Sequence, residues 1–145
     1  MNSEDISITN KLLSTVKKIV VVGHKNPDGD AVGSSLGLCN FLKQKGHHVQ
    51  VVMPNDFPDF LKWIPEASSI INYEQNFEET KTAIQKAEII FTLDFNALNR
   101  TGGLATELEQ AAADFILIDH HQQPDDYALV TYSDVAMCST SEMVF

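Results

Sequence analysis

The run GHKNPDGDAVGSS, residues 23–35, puts one imidazole and two carboxylates within seven residues, at His24, Asp28 and Asp30. A second set, Asp119-His120-His121, lies near the other end of the chain, and Asp94 stands alone between them. Imidazole nitrogen mixed with carboxylate oxygen suits Mn²⁺, and also takes Mg²⁺, Zn²⁺, Co²⁺ or Fe²⁺. Each residue alone has an ordinary reading. His24 can be a satisfied strand-end histidine. Asp28 and Asp30 flank Gly29 and can be turn formers. Asp94 can cap the segment that begins at Phe95, and His120 and His121 can be solvated loop residues. Together, at three matching positions, they are hard to explain as accident. A central carboxylate can bridge two cations, and Asp94 is the candidate bridge. Ions ~3.5–4 Å apart serve the hydrolytic attack of water on phosphorus.

The elements that must position these residues are short apolar runs. Residues 19–22, 88–93 and 115–118 read as strands, and the three sets of potential ligands follow them. An all-apolar strand is the type buried on both faces of a parallel sheet. Ligands in such sheets bind outside the carboxyl ends of the strands, so the three sets would converge on one edge. Further strands are expected at 49–53, 70–71 and 129–132. Helices are expected at 8–18, 31–45 (stopped by Gly46), 57–64, 78–86, 104–113 after the Gly102-Gly103 break, and from 139 onward. Strands alternating with helices predict an α/β fold, a mostly parallel sheet with helices on both faces. Asn26-Pro27-Asp28-Gly29 is a turn by composition, with Gly29 permitting a tight loop. Gly33, with Ala31, Ser34 and Ser35, opens the following helix with small residues, which let backbone approach metal or phosphate. His47 and His48 follow Gly46 at the opposite edge and are expected at the surface.

The 145 residues suit one domain, and 43% hydrophobic content is enough for a real core. A formal net charge of −10 argues against a broad grip on a nucleic-acid backbone. It leaves room for a small nucleotide held by metal in a cleft. Cys39 and Cys138 have no paired spacing and read as two free thiols. The polar N-terminus has no secretory signal pattern, and no apolar run approaches the ~20 residues of a membrane span. A cytoplasmic protein without membrane contact is the expectation. The chain stops at Phe145 within an apolar helical pattern, which reads as an incomplete C-terminus.

These motifs resemble those of the DHH phosphoesterases, named for the triplet found here at residues 119–121. The first motif is GHKNPDGDAVGSS, the second TLDFNALNR at residues 92–100, and the third LIDHHQQPDDYA at residues 117–128. The later CSTSEMVF, residues 138–145, looks like the family's STxE helix start. PDGDAVGSSLGL with LIDHH and STSE is most similar to the oligoribonuclease (nanoRNase) and pAp-phosphatase branch. The resemblance implies a catalytic domain over 1–145. The family's fourth motif, with a further aspartate ligand, and its C-terminal substrate-binding domain are missing from this stretch. It implies two Mn²⁺ ions, one held by His24 and Asp28, the other by Asp30 and His120, with Asp94 bridging. His121 would act at the substrate phosphate as donor or general acid, and Asp119 would orient the neighbouring histidines. Arg100 would pair with phosphate or with a local carboxylate. The implied substrates are short oligoribonucleotides or pAp. Alternatives are inorganic pyrophosphatase or exopolyphosphatase activity, cyclic-dinucleotide phosphodiesterase activity, or a noncatalytic nucleotide- or metal-binding module. Assembly, a homodimer included, is left open.

Overall fold

Six short strands run side by side in the computed structural model, which describes residues 2–145. They are β1 (Lys18–Val22), β2 (His48–Met53), β3 (Ile71–Asn72), β4 (Ile89–Leu93), β5 (Asp114–Asp119) and β6 (Val130–Ser133). Every pairing is parallel, in the order β3-β2-β1-β4-β5-β6. Around the sheet lie α1 (Ser3–Leu12), α2 (Gly29–Gln44), α3 (Phe77–Lys86), α4 (Ala105–Glu109) and α5 (Thr140–Val144).

The strands read as unbroken apolar runs because both faces of the sheet are covered. Along β1, Ile19 and Val21 pack with Leu36 and Leu42 of α2, and α1 and α5 close over the same side. Val20 and Val22 pack on the opposite side with Ile84 of α3 and Leu108 of α4. Each such side chain contributes about 1.5–3 kcal/mol on leaving water. Strand order reverses between β1 and β4: from β1 the chain builds outward to β2 and β3, then returns to β4 and proceeds the other way. The crevice at the carboxyl ends of β1 and β4 is therefore the topological switch point, where open α/β sheets bind ligands.

Several local expectations are corrected. The first helix is Ser3–Leu12 rather than residues 8–18. A reciprocal cap between Asn2 and Asp5 starts it early, and Lys18 is drawn into the sheet opposite His48. Residues 57–64 hold only a single 3₁₀ turn, Asp59–Leu61. The helix expected at 104–113 shortens to Ala105–Glu109, preceded by a 3₁₀ stretch kinked at Gly102, whose φ is 61°. Gly29 does not supply the left-handed backbone of the first motif loop; Asn26, at φ 55°, does. Gly29 is the first residue of α2. Gly23 has a stricter role, because a Cβ there would stand 2.6 Å from the Met53 sulfur. His48 is exposed as expected, but His47 is buried, its Nδ1 accepting the Lys17 backbone N–H at 3.2 Å. The turn after α2 folds that imidazole back beneath the entry to β1.

Candidate metal centre at the carboxyl edge

His24 follows β1 by two residues. Its Nδ1 lies 2.8 Å from the Lys25 carbonyl oxygen, which can only accept. That bond holds the proton on Nδ1 and leaves Nε2 as the free ligand atom. Nε2 faces two carboxylates, Asp94 Oδ2 at 3.5 Å and Asp28 Oδ1 at 3.8 Å. Asp94 first of all, and against the effect of burial, holds the His24 imidazole above the usual histidine range. A proton is thus attracted to the same place as a cation.

Asp28 is the N-cap of α2. Its Oδ1 accepts the backbone N–H groups of Asp30 and Ala31, both at 3.0 Å. The capping oxygen Oδ1 is also the one that faces His24, while Oδ2 makes no capping bond and keeps its acceptor positions.

Asp94 sits one residue beyond β4, 3% exposed, with φ at 66°. A non-glycine residue in the left-handed region is uncommon and must be held there by its surroundings. Here the backbone N–H of Asp94 donates to Ile118 O at 3.1 Å. The two carboxylate oxygens point to different partners: Oδ2 to His24, and Oδ1 to His120 Nε2 at 3.4 Å. Oδ1 also accepts the buried Thr140 hydroxyl at 2.9 Å.

Asp119 ends β5, fully buried. Its Oδ1 accepts His121 Nδ1 at 2.6 Å, leaving His121 Nε2 as that ring's free nitrogen, while its Oδ2 has no partner. The contact reaches His121 and not His120. The two histidine rings lie with centroids 4.6 Å apart. Asp30 opens the first turn of α2, yet both of its oxygens face α5. Oδ2 accepts Thr140 N–H at 2.8 Å, and Oδ1 accepts the N–H and hydroxyl of Ser141 at 2.8 and 2.6 Å. Burial pushes the Asp30 carboxyl up, and these hydrogen bonds outweigh it and hold it below the usual carboxylate range. Asp30 Oδ2 remains 3.8 Å from His120 Nε2.

Ligand atoms within 4.8 Å of one another form two groups, His24 with Asp28 and Asp94, and Asp94 with His120 and His121. Donors bound ~2.1 Å from one cation stand roughly 3–3.5 Å apart, so the observed N···O distances of 3.4 to 3.8 Å fit this use with little adjustment. Arg100 lines the same hollow and, among the described residues, forms no salt bridge with a carboxylate. Cys138 and Ser139 complete the wall. Sequence reasoning placed the helix start of α5 but not its hydrogen bonds to Asp30 and Asp94. Two adjacent hydroxyl residues behind an N-cap serine were the only signal. Cys39 and Cys138 are both free.

Among solved structures, an exopolyphosphatase-related protein from Bacteroides fragilis is 42% identical and superposes with a TM-score of 0.97, covering 99% of this chain and 42% of that one. The bifunctional oligoribonuclease and PAP phosphatase NrnA of Thermus thermophilus is 28% identical over 143 residues, which is 97% of this chain and 40% of that protein. The cyclic-di-AMP phosphodiesterase PdeA of Listeria monocytogenes is 22% identical over 142 residues, 92% of this chain and 21% of that protein. The chain thus spans about two-fifths of the first two and a fifth of the third. Residues 18–145, which carry all the clustered candidate ligands, match the model of the DHH family, N-terminal domain, and the chain belongs to the DHH family.

Proposed function

We propose that this chain is the catalytic domain of a two-cation phosphoesterase. Its substrates on this reading are short oligoribonucleotides and pAp. One observation carries the proposal: Asp94 offers one carboxylate oxygen to each of two histidines, each with a carboxylate beside it. Mn²⁺ suits this mixed donor set. His24 and Asp28 would hold one cation, Asp30 and His120 the other, and Asp94 both. Such a pair, when bound, would supply Lewis-acid polarisation of a phosphoryl oxygen and charge stabilisation for an in-line displacement.

The remaining work falls to the chain itself. Asp119 fixes the His121 ring through Nδ1 and so holds Nε2 at a constant angle for the role of donor or general acid at the departing oxygen. Arg100, without a carboxylate partner, is available to pair with substrate phosphate. A net charge of −10 fits a short, metal-held substrate better than a long polyanion. The named activities of the Thermus and Listeria relatives support phosphate-ester chemistry on nucleotides.

A polyphosphate or pyrophosphate substrate is a second reading, favoured by the name of the 42%-identical Bacteroides protein. The test is hydrolysis by the protein with Mn²⁺ of a dinucleotide RNA, pAp, cyclic di-AMP, pyrophosphate and polyphosphate. Turnover of RNA or pAp that disappears in Asp94→Ala is expected. Turnover of pyrophosphate or polyphosphate alone would select the second reading. Bound metal with no turnover would leave a noncatalytic binding module.

A further inference from the structure

Resting on the two-cation reading, we infer that Thr140 and Ser141 are positioning residues that build one of the two cation sites and not the other. The two sites are assembled by different means. On the His24 side, the imidazole is held by the adjacent Lys25 carbonyl, and Asp28 is held by its own capping bonds to α2. Both belong to a single loop, four residues apart, so that side is local apart from the shared Asp94.

The His120 side depends on distant chain. Thr140 donates through its hydroxyl to Asp94 Oδ1, the oxygen that faces His120, and through its backbone to Asp30 Oδ2. Ser141 donates twice to Asp30 Oδ1. These bonds link residues 46 to 111 positions apart in the sequence. None of them touches His24, Asp28 or Asp94 Oδ2.

Counting lone pairs sharpens the assignment. A carboxylate has about four acceptor positions. Three on Asp30 are occupied by Thr140 and Ser141, which leaves one, on Oδ2, the oxygen nearest His120. Asp30 can therefore serve a cation only through a single oxygen, and its direction is set by α5. The Thr140 side chain is fully buried, so its hydroxyl has no water to turn to when Asp94 is lost to it.

The experiment is Mn²⁺ binding, read by loss of the free-ion EPR signal and by calorimetry, for the protein and its Thr140→Val and Ser141→Ala variants. Partners of this kind typically alter metal affinity by about tenfold or more. One of the two affinities is expected to fall by that factor in each variant, with the other unchanged within about twofold. Thr140→Ser keeps the hydroxyl and is expected to restore binding, while circular dichroism reports whether Thr140→Val is folded. In a His24→Ala background Thr140→Val is expected to weaken the remaining ion; in His120→Ala it is expected to do nothing. Equal weakening of both ions, or none, overturns the inference. Failure of the parent protein to bind two ions would overturn the two-cation reading itself, and the two failures are distinguishable.

Discussion

A left-handed backbone at Asp94 costs an ordinary side chain about 1–2 kcal/mol, and asparagine tolerates it better than alanine. Metal-free Asp94→Asn is thus expected to unfold at nearly the denaturant concentration of the parent. Asp94→Ala should lose about 1 kcal/mol more than Asn does, and neither variant should retain paired Mn²⁺ sites. Urea titrations with chelator, beside Mn²⁺ binding, check both halves; equal stability of the two variants would show that the backbone is unstrained. Asp94 was legible as a candidate ligand because it stands alone after an apolar strand. Its backbone conformation was not, since it follows from packing between β4 and β5. Tyr127 was not singled out at all. Burial, against the hydrogen bond shared with Thr92 at 2.8 Å, pushes its hydroxyl well above the ordinary tyrosine range. The folded state thus prefers neutral Tyr127. That stability is fully present below the unfolded value of about 10 and is lost as pH rises through the folded one. Absorbance at 295 nm should show one of the three tyrosines ionising late, together with unfolding, and Tyr127→Phe should abolish that late phase.

Elements do two jobs here, and the first turn of α2 shows how they can be separated. Asp28 both caps the helix and faces His24. Asparagine is as good a cap as aspartate, whereas alanine forfeits about 1 kcal/mol. Asp28→Asn should therefore keep metal-free stability and weaken the His24-side ion, while Asp28→Ala should lose both. Denaturation with chelator and Mn²⁺ titration of the two variants decide it; comparable stability would mean the cap is idle. The strands were legible because burial on both faces leaves an unbroken apolar signature, as at residues 19–22. Helix limits were less so. The Asn2–Asp5 capping box and the Gly102 kink are local hydrogen-bond and backbone effects that apolar periodicity does not register. His47 was misplaced for a related reason, since only the turn after Gly46 brings it under the sheet.

At the scale of the molecule, the candidate ligands come from three separate segments, residues 24–30, residue 94 and residues 119–121, and α5 ties the first two from residues 140–141. An unfolded chain has no such site, so cation binding favours the folded state alone. The sequence pattern disclosed the convergence, because each ligand set follows a strand and parallel strands share a carboxyl edge. It did not disclose that the edge is the switch point between β1 and β4, which depends on strand order. Linkage then fixes the size of the effect: an ion at a hundred times its dissociation constant adds about 2.7 kcal/mol to the unfolding free energy. The acidic surface could instead gain from any divalent ion through screening, but that effect is weak and shared by Ca²⁺. Mn²⁺ is therefore expected to raise the melting temperature saturably, beyond Ca²⁺ at equal ionic strength, with EDTA reversing it. His120→Ala should remove about half of the gain, and Asp94→Ala nearly all of it, because on the proposed reading Asp94 alone serves both ions. Equal stabilisation by Ca²⁺ in parent and Asp94→Ala would reduce the effect to surface charge and dissolve the paired site.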